Sequence, residues 1–294
     1  MNDEHSPATA STATIRACGG SRVSLRLSPR PVTDPGYRGW RAQKVAYGTP
    51  ERTRCQTVRV REPSDIEIRE LADIAQVHTA AAVLAEVWPA DRQALPVQAL
   101  RALQYSGNYV VGVYDGERMV GASAAWFGPP AGRTMHSHVT GVLPEYQGRG
   151  VGRVLKQHQR DWAFTRGIGR ITWTFDPLIA RNAHFNLQVL GVRVTDYLVD
   201  QYGAMPDAVN RGVPSDRLLV SWALAEPPAA MPDAAAVAAE VRIPGDIDAM
   251  RRETPAAAAA WRNAVRRGLR RHLEAGLRIG GFDDERGYLL VAAH

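Results

Sequence analysis

A glycine-rich turn lies near the middle of this 294-residue chain, between an apolar strand pattern and an amphipathic helix pattern. The sequence there reads Val142-Leu-Pro-Glu-Tyr-Gln-Gly-Arg-Gly-Val-Gly-Arg-Val-Leu-Lys156. Apolar spacing predicts a strand over Met135–Val142 and a helix over Gly150–Arg166. Because the three glycines carry no side chain, several backbone N–H groups can point at one place, where the helix N-terminus adds about half a positive charge. The turn is therefore predicted to bind an anion such as a pyrophosphate.

The order of the letters separates this turn from two other phosphate-binding motifs. A P-loop requires Gly, four residues and then Gly-Lys-Ser or Gly-Lys-Thr, and the sequence contains no such run. A dinucleotide-binding turn requires G-x-G-x-x-G, but its sixth position is Arg153 or Leu155, depending on which glycine comes first. The pattern that fits is Gln147-x-x-Gly150-x-Gly152.

That pattern is the Gln/Arg-x-x-Gly-x-Gly/Ala signature of the GNAT superfamily of acyl-CoA-dependent N-acyltransferases, which the chain resembles. The predicted elements across Ile66–Leu224 follow the same order: helices, a hairpin, a strand, the motif, a helix, a strand and a short helix. The resemblance implies an α/β (α+β) fold with a mixed central sheet and a splayed strand pair. Trp173–Leu178, Arg181–Asn186 and Ser215–Arg217 are similar to a subgroup whose substrate is unassigned.

Composition and periodicity divide the chain into four regions. They are a disordered basic extension at 1–65, a GNAT-like acyltransferase domain at 66–224, a linker at 225–240 and a small α/β helix-hairpin region at 241–294. The apolar alternation around Val23–Leu27 in the extension is too short to predict a strand. Thr254 is predicted to cap the long helix of the last region.

The resemblance implies that acetyl-CoA or another acyl-CoA is the cosubstrate, and we expect no metal. In the family, the strand before the motif separates from the next strand and the pantetheine arm lies in the gap. By resemblance, Val142 and Pro144 flank the pantetheine, and Asn182 matches a position that often contacts the cofactor. The residues implied to surround the pyrophosphate are Gln147, Gly148, Arg149, Gly150, Val151 and Gly152.

Three side chains are candidates for proton transfer from the acceptor amine. His136 and His138 lie two residues apart on the strand that leads to the motif, so they are predicted to share one face. His138 is the first candidate base and His136 the second, and the alternative is a structural histidine bonded to a neighbouring carbonyl. Asp176 ends the next strand, where it could bind the substrate ammonium, act as a base or cap the turn before Pro177.

The proton donor for the leaving thiolate is not evident. Many GNAT enzymes place a tyrosine four residues before the glycine that closes the short helix. Counting back from Gly191 gives Leu187, so this chain departs from the family there. Tyr197 and Tyr202 follow and could substitute, and the alternative is that both only pack or cap.

The charge of the chain is unevenly distributed. Lysine and arginine number 36 against 30 aspartate and glutamate residues, a formal net charge of +6. Residues 1–65 hold 11 basic and 6 acidic residues, a net of +5, and the remaining residues hold 25 and 24, a net of +1. The excess lies outside the predicted domain, so we expect no nucleic-acid partner. One side of the last helix is basic and is predicted to face solvent, the alternative being a contact with an acidic substrate or the CoA 3′-phosphate; its residues are Arg262, Arg266, Arg267, Arg270 and Arg271.

The two cysteines, Cys18 and Cys55, both lie in the extension, which excludes a disulfide framework and a Cys-rich zinc module. The predicted domain therefore has no thiol nucleophile, which agrees with direct acyl transfer. No apolar run reaches the roughly 18–20 residues of a membrane span, and the first ten residues lack the pattern of a secretory signal. We expect a cytoplasmic protein that does not contact a membrane and that acts on the amine of a small molecule, with a homodimer left open.

Overall fold

The structure is a computed structural model that describes residues 66–88, 95–203 and 214–293, together with two short strands near the start of the chain. These strands, β1 (Thr12–Arg16) and β2 (Arg22–Arg26), pair antiparallel within a unit that covers residues 1–65. β2 overlaps the apolar alternation at Val23–Leu27, so the expectation that this segment forms no strand is wrong. The prediction that the extension as a whole is disordered stays a prediction, and both cysteines lie outside the described residues.

Residues 66–294 form the second unit, which is built on a seven-stranded sheet. The strand order is β3-β4-β5-β6-β7-β9-β8, and every neighbouring pair is antiparallel except β6 and β7. The strands are β3 (Ile66–Glu70), β4 (Tyr109–Asp115), β5 (Arg118–Phe127), β6 (Thr134–Val142), β7 (Arg170–Phe175), β8 (Arg193–Leu198) and β9 (Arg217–Ala223). The predicted hairpin between β4 and β5 is confirmed, and its Gly116 has the positive φ of 61° that such a tight turn needs.

Four helices accompany this sheet in the described residues. They are α1 (Ile74–Val87), α2 (Val97–Tyr105), α3 (Val151–Thr165) and α4 (Ala180–His184), the last continued by a π-helical turn at Phe185–Val189. The apolar spacing over Asp73–Trp88 predicts the first of these helices, and α1 confirms it; the Asp73 carboxylate caps it by accepting a hydrogen bond from the Gln76 N–H at 2.8 Å. Gly191 stops the π-helical turn with a φ of 62°, as the sequence predicted.

Helices α1 and α3 lie on opposite faces of the sheet. In β6, Ser137 contacts α3 through Lys156, whereas Gly141 lies under Trp88 at the end of α1. Ser137 pairs with Ala125 of β5 and Gly141 pairs with Ala122. Because these two partners are three residues apart, Ser137 and Gly141 point to opposite faces of the sheet. A Cβ atom at Gly141 would stand only 2.7 Å from the Trp88 ring, so α1 can approach the sheet this closely only over a glycine.

The last region contains a second, three-stranded sheet with the order β10-β12-β11. Its elements are β10 (Val237–Val241), α5 (Ile247–Glu253), α6 (Pro255–Glu274), β11 (Leu277–Asp283) and β12 (Gly287–Ala292). β10 begins within the range that we assigned to a linker, because pairing with β12 orders it. Thr254 precedes α6 as predicted, but its side chain makes no capping bond and its Oγ1 instead donates to the Met250 carbonyl.

The helix-hairpin region packs against the end of β7 and the segment that follows it. The buried Tyr288 hydroxyl donates to the Pro177 carbonyl at 2.8 Å, and the Gln188 side chain donates to the Phe282 carbonyl. Each of these bonds joins residues about a hundred positions apart in the sequence. The region is therefore an integral part of the structure around β7, which the division of the chain by composition did not indicate.

Candidate active site

Strands β6 and β7 separate after a short paired stretch. They pair in parallel at three positions only, from Thr134 with Arg170 to His136 with Thr172, although both strands continue beyond that point. β6 keeps its antiparallel pairing with β5 along its whole length. One edge of β6 is therefore open toward β7, and backbone groups that a sheet would pair point into the opening. This confirms the predicted mixed sheet with a splayed strand pair.

His136 and His138 lie on one side of β6, next to a β-bulge. Ala124 pairs with Val139 and Ala125 pairs with Ser137, so His138 is an extra residue on β6. His138 nevertheless lies on the same side of the sheet as His136, as residues two apart in a strand do. Both rings pack on Trp126 of β5, with centroid distances of 5.3 Å for His136 and 4.7 Å for His138. The prediction that the two histidines share a face is confirmed, and Trp126 is a member of the cluster that the sequence did not identify.

The two imidazoles are half-buried, and their surroundings favour the neutral, unprotonated form. Burial lowers the pKa of His138, and burial together with the neighbouring His138 and Lys156 lowers the pKa of His136. Neither ring makes a hydrogen bond within the part of the chain that the structure describes. A neutral imidazole has one ring nitrogen that can accept a proton, as a general base requires, and neither ring is held by a carbonyl of the described residues.

The open edge of β7 carries hydroxyl groups on the same side as the histidines. Thr172 pairs with His136 in register, and Thr174 lies two residues further along. The Thr174 Oγ1 is 3.0 Å from the hydroxyl of Tyr202, whose side chain remains 44% exposed. The Tyr202 hydroxyl thus lies on the histidine side of the opening between β6 and β7.

The second tyrosine candidate is occupied elsewhere. The hydroxyl of Tyr197 donates to Asp216 at 2.7 Å, and burial and this carboxylate raise the tyrosine pKa far above its ordinary value. Asp216 also accepts two hydrogen bonds from Arg266 of α6. The prediction that the basic side of this helix faces solvent is therefore wrong for Arg266, because a buried carboxylate 50 positions away holds it. Of the two tyrosines, Tyr202 is the more exposed, at 44% against 8% for Tyr197.

Asp176 lies at the end of β7, buried among charged partners. Its Oδ1 accepts the Leu178 N–H at 2.9 Å, which is the turn cap considered above. Its Oδ2 accepts a hydrogen bond from Arg251 of α5 at 2.5 Å, and Arg217 stands 3.9 Å away. The carboxylate is thus engaged by cations of the protein itself, and its assignment as a base stays a prediction.

The glycine-rich turn has the backbone conformation that an anion site requires. Gly148 and Gly150 have φ angles of 72° and 81°, and no atom lies within 4 Å of where a Cβ would stand on either residue. The first turn of α3 has no side-chain cap, and the Arg153 N–H bonds to the Gly150 carbonyl at 3.0 Å, so the N–H groups of Val151 and Gly152 are the ones left available. The side chain of Gln147 donates to the Val142 carbonyl at 2.9 Å and ties the turn to the end of β6. The Val151 side chain is buried, so only its backbone can face a ligand.

The two other residues implied to bind the cosubstrate differ in their surroundings. Arg149 places its guanidinium 5.5 Å from the centre of the Tyr146 ring, beside the turn. Asn182 lies in α4, and its carbonyl accepts a hydrogen bond from Asn186, which also binds the indole N–H of Trp173. These positions are compatible with the assigned roles, which stay predictions.

One buried polar residue beside the opening was missed by the sequence analysis. Lys156 lies in α3 with only 6% of its surface exposed, and burial lowers its pKa to about 7. The sequence contained two signs that this lysine is unusual. The only other lysine of the chain is Lys44 in the extension, and Lys156 directly follows Leu155, which lies on the inner side of the helix. Lysine is among the residues that are almost never fully buried, so such a position is informative.

The pH dependence of stability should reveal the buried histidines. Burial lowers the pKa of His136, His138 and His158 below the ordinary 6.5, so the unfolded chain binds protons that the folded chain does not. The free energy of unfolding should therefore fall as the pH decreases from about 6.5 through the lowered values. One unit of pKa difference corresponds to about 1.4 kcal/mol, or roughly 3–6 °C in Tm for a domain of this size.

Thermal unfolding between pH 7.5 and pH 5 measures this effect. The double variant His136→Gln/His138→Gln should lose less Tm on acidification than the unaltered protein. Equal losses in the two proteins would contradict the assignment of burial as the cause of the lowered pKa values.

Comparison with known proteins places part of the chain in one family model. Residues 73–186 match the model of the Acetyltransferase (GNAT) family. No curated protein matches the chain significantly. The described residues contain no group of three or more His, Cys, Asp and Glu side chains that could hold a metal ion. None of the helices in that part is long and apolar enough to cross a membrane.

Several solved structures are similar to about half of the chain. The ribosomal-protein-S18-alanine N-acetyltransferase of Escherichia coli is 14% identical, with 55% of this chain and 96% of that chain covered at a TM-score of 0.45. Arabidopsis thaliana Naa50, in complex with the bisubstrate analogue CoA-Ac-MVNAL, is 19% identical, with 54% and 99% covered at 0.45. The yncA protein of Salmonella typhimurium, with its cofactor acetyl-CoA, is 23% identical, with 57% and 98% covered at 0.43.

Proposed function

We propose, on the premise that residues 73–186 form a domain of the GNAT acetyltransferase family, that the chain is an acyl-CoA-dependent acyltransferase. The favoured reaction moves the acetyl group of acetyl-CoA directly to the amine of a small molecule. One observation carries the proposal: the opening between β6 and β7 leads from the histidine pair to the uncapped N-terminus of α3. The thioester of an acyl-CoA would lie beside the histidines and its pyrophosphate at the helix N-terminus. The opening would thus hold both ends of one cosubstrate.

The residues of the chain supply the steps of an amine acylation. An alkylamine has an ordinary pKa near 10, so it must lose a proton before it can attack. We assign this proton to His138, with His136 second. The amine nitrogen then bonds to the thioester carbon, and the oxygen becomes an oxyanion that unpaired N–H groups of β6 can bind. When the oxyanion collapses, the carbon–sulfur bond breaks and the CoA thiolate leaves.

The leaving thiolate needs a proton, and we assign its donor to Tyr202. The family position for this tyrosine holds Leu187, which is buried, and Tyr197 is bound to Asp216. Tyr202 lies on the histidine side of the opening with its hydroxyl beside Thr174. The proposal therefore moves the donor from α4 to the segment after β8.

A second candidate function is a non-catalytic module that binds acyl-CoA. The replacement of the usual tyrosine by Leu187 specifically favours it, because the glycine-rich turn does not depend on that residue. We also propose a cytoplasmic location and no nucleic-acid or membrane partner for either function. A homodimer stays open.

Binding and transfer distinguish the two functions. Calorimetry with CoA and acetyl-CoA should give dissociation constants within the roughly 1 μM to 1 mM range of ordinary enzyme substrates. Incubation with acetyl-CoA and either a metabolite extract or a peptide pool, followed by mass spectrometry, should show a gain of acetyl mass in a small amine. The His136→Gln/His138→Gln variant should bind acetyl-CoA normally and lose at least about 100-fold in transfer, the usual contribution of a general base.

Each other outcome has a defined meaning. Binding with no transfer to any acceptor supports the non-catalytic module. Transfer of the acetyl group to peptides alone would support the acyltransferase function and would show that the acceptor is a peptide and not a small amine. If neither CoA nor acetyl-CoA binds, both candidate functions are wrong.

A further inference from the structure

The head group of Lys156 lies between the two strands that separate. Its Nζ donates to the Ser137 Oγ of β6 at 2.9 Å and stands 4.0 Å from the centre of the Trp173 ring of β7. A further bond runs to the Gln159 Oε1 at 3.1 Å. Ser137 and Trp173 are the first residues of their strands beyond the last parallel pair. The lysine head group therefore occupies the position at which the opening begins, on the α3 side of the sheet.

The length of the open edge of β6 suits the cosubstrate. From Val142 back to Ser137 the strand advances five residues, which at about 3.3 Å per residue amounts to roughly 17 Å. This is the scale of an extended pantetheine arm. A cosubstrate with its pyrophosphate at Gly148–Gly152 and its arm along the open edge of β6 would therefore bring its acyl group close to Ser137 and Lys156.

Apolar packing alone does not account for a lysine here. Burial of an ammonium costs free energy that a methionine or leucine at this position would not cost. The lowered pKa of Lys156, to about 7, expresses that cost. The neighbouring Gln159 is also buried, and its Nε2 has no hydrogen-bond partner in the described part of the chain. A polar cluster with an unpaired donor therefore lies at the narrow end of the opening.

We propose that Lys156 is a positioning and specificity-determining residue that closes the narrow end of the opening between β6 and β7. Its head group fixes the depth to which the acyl group enters and so restricts the cosubstrate to short acyl chains. This inference rests on the proposed function, because it assumes that acyl-CoA lies along β6. The histidines act from the opposite face of the sheet, so Lys156 positions the thioester and does not deprotonate the amine.

Two substitutions separate the length of the side chain from its charge. Lys156→Ala shortens the side chain, so longer acyl groups should fit, and the ratio of kcat/KM for butyryl-CoA over acetyl-CoA should rise about tenfold or more. Lys156→Met keeps most of the length without the donor, so this ratio should stay near that of the unaltered protein while kcat for acetyl-CoA falls about tenfold. Asp161→Ala, on the exposed side of α3, should change neither quantity.

Binding measurements keep the inference testable without turnover. The affinity for CoA, which lacks an acyl group, should change less than about threefold in both Lys156 variants because the glycine-rich turn is intact. The affinity for butyryl-CoA relative to acetyl-CoA should rise about tenfold in Lys156→Ala only. If that variant does not fold, Lys156→Leu, also shorter than lysine, serves in the same comparison.

The experiments distinguish a failure of this inference from a failure of the proposed function. An unchanged acyl preference in a folded Lys156→Ala or Lys156→Leu protein that binds CoA overturns the role of Lys156 and leaves the proposed function standing. Loss of CoA binding in the unaltered protein overturns the proposed function and this inference with it. A merely structural lysine would lower the Tm of its variants without any change in acyl preference.

Discussion

Replacement of Gly150 by valine should weaken CoA binding by about 100-fold or more while the chain still folds. Gly150 has a φ of 81°, and an L-residue in this left-handed region costs roughly 1–2 kcal/mol, more when it is β-branched. The turn can relieve that cost only by rotating the peptide planes that aim its N–H groups at the anion. No protein atom lies within 4 Å of the added Cβ, so the side chain would extend into the space that we assign to the pyrophosphate.

The chain offers a closely matched control for this variant. Gly276, which follows α6, has a φ of 82° and equally open surroundings. Gly276→Val should therefore lose a similar amount of stability and bind CoA as before. Calorimetry with CoA and thermal unfolding of both variants measure the two effects separately. Equal CoA affinity in the two variants would show that the glycine-rich turn is not part of the CoA-binding site.

The sequence could predict the glycine-rich turn because the site is local. An anion site made of backbone N–H groups needs only a strand, a turn of permissive residues and a helix start within a dozen positions. Gly148 and Gly150 have the positive φ angles that such a turn implies. The face shared by His136 and His138 was likewise predictable from their spacing within one strand.

Long-range partners were not predictable in this way. The sequence shows Asp176 at the end of a strand, but not that Arg251, 75 positions later, forms an ion pair with it. It shows a basic side on α6, but not that Asp216 lies beneath Arg266. The burial of Lys156 depends on the separation of β6 and β7, which is a property of the sheet. Each of these features depends on contacts between elements that are far apart in the sequence. The apolar periodicity of a single helix or strand does not predict such contacts.

Removal of the Asp176 carboxylate should be the most destabilising single substitution considered for this chain. Asp176 and Arg251 are both buried, with side chains no more than 10% exposed, and Arg217 lies beside them. Asp176→Ala removes the carboxylate that Arg251 contacts at 2.5 Å and the cap on the Leu178 N–H. Breaking a buried pair from one side typically costs about 3–5 kcal/mol, so urea unfolding should show a loss of this size.

A matched variant on the other side of Arg251 tests the physical reason. Arg251 also approaches Asp248 at 3.4 Å, but that carboxylate is 22% exposed, so Asp248→Ala should cost no more than about 1 kcal/mol. Arg251→Met should be destabilising by itself, and its combination with Asp176→Ala should cost less than the two single losses added together. Additive losses would mean that the ion pair does not hold the helix-hairpin region on β7. Asp176 would then be free to act in the acceptor site, as the sequence first suggested.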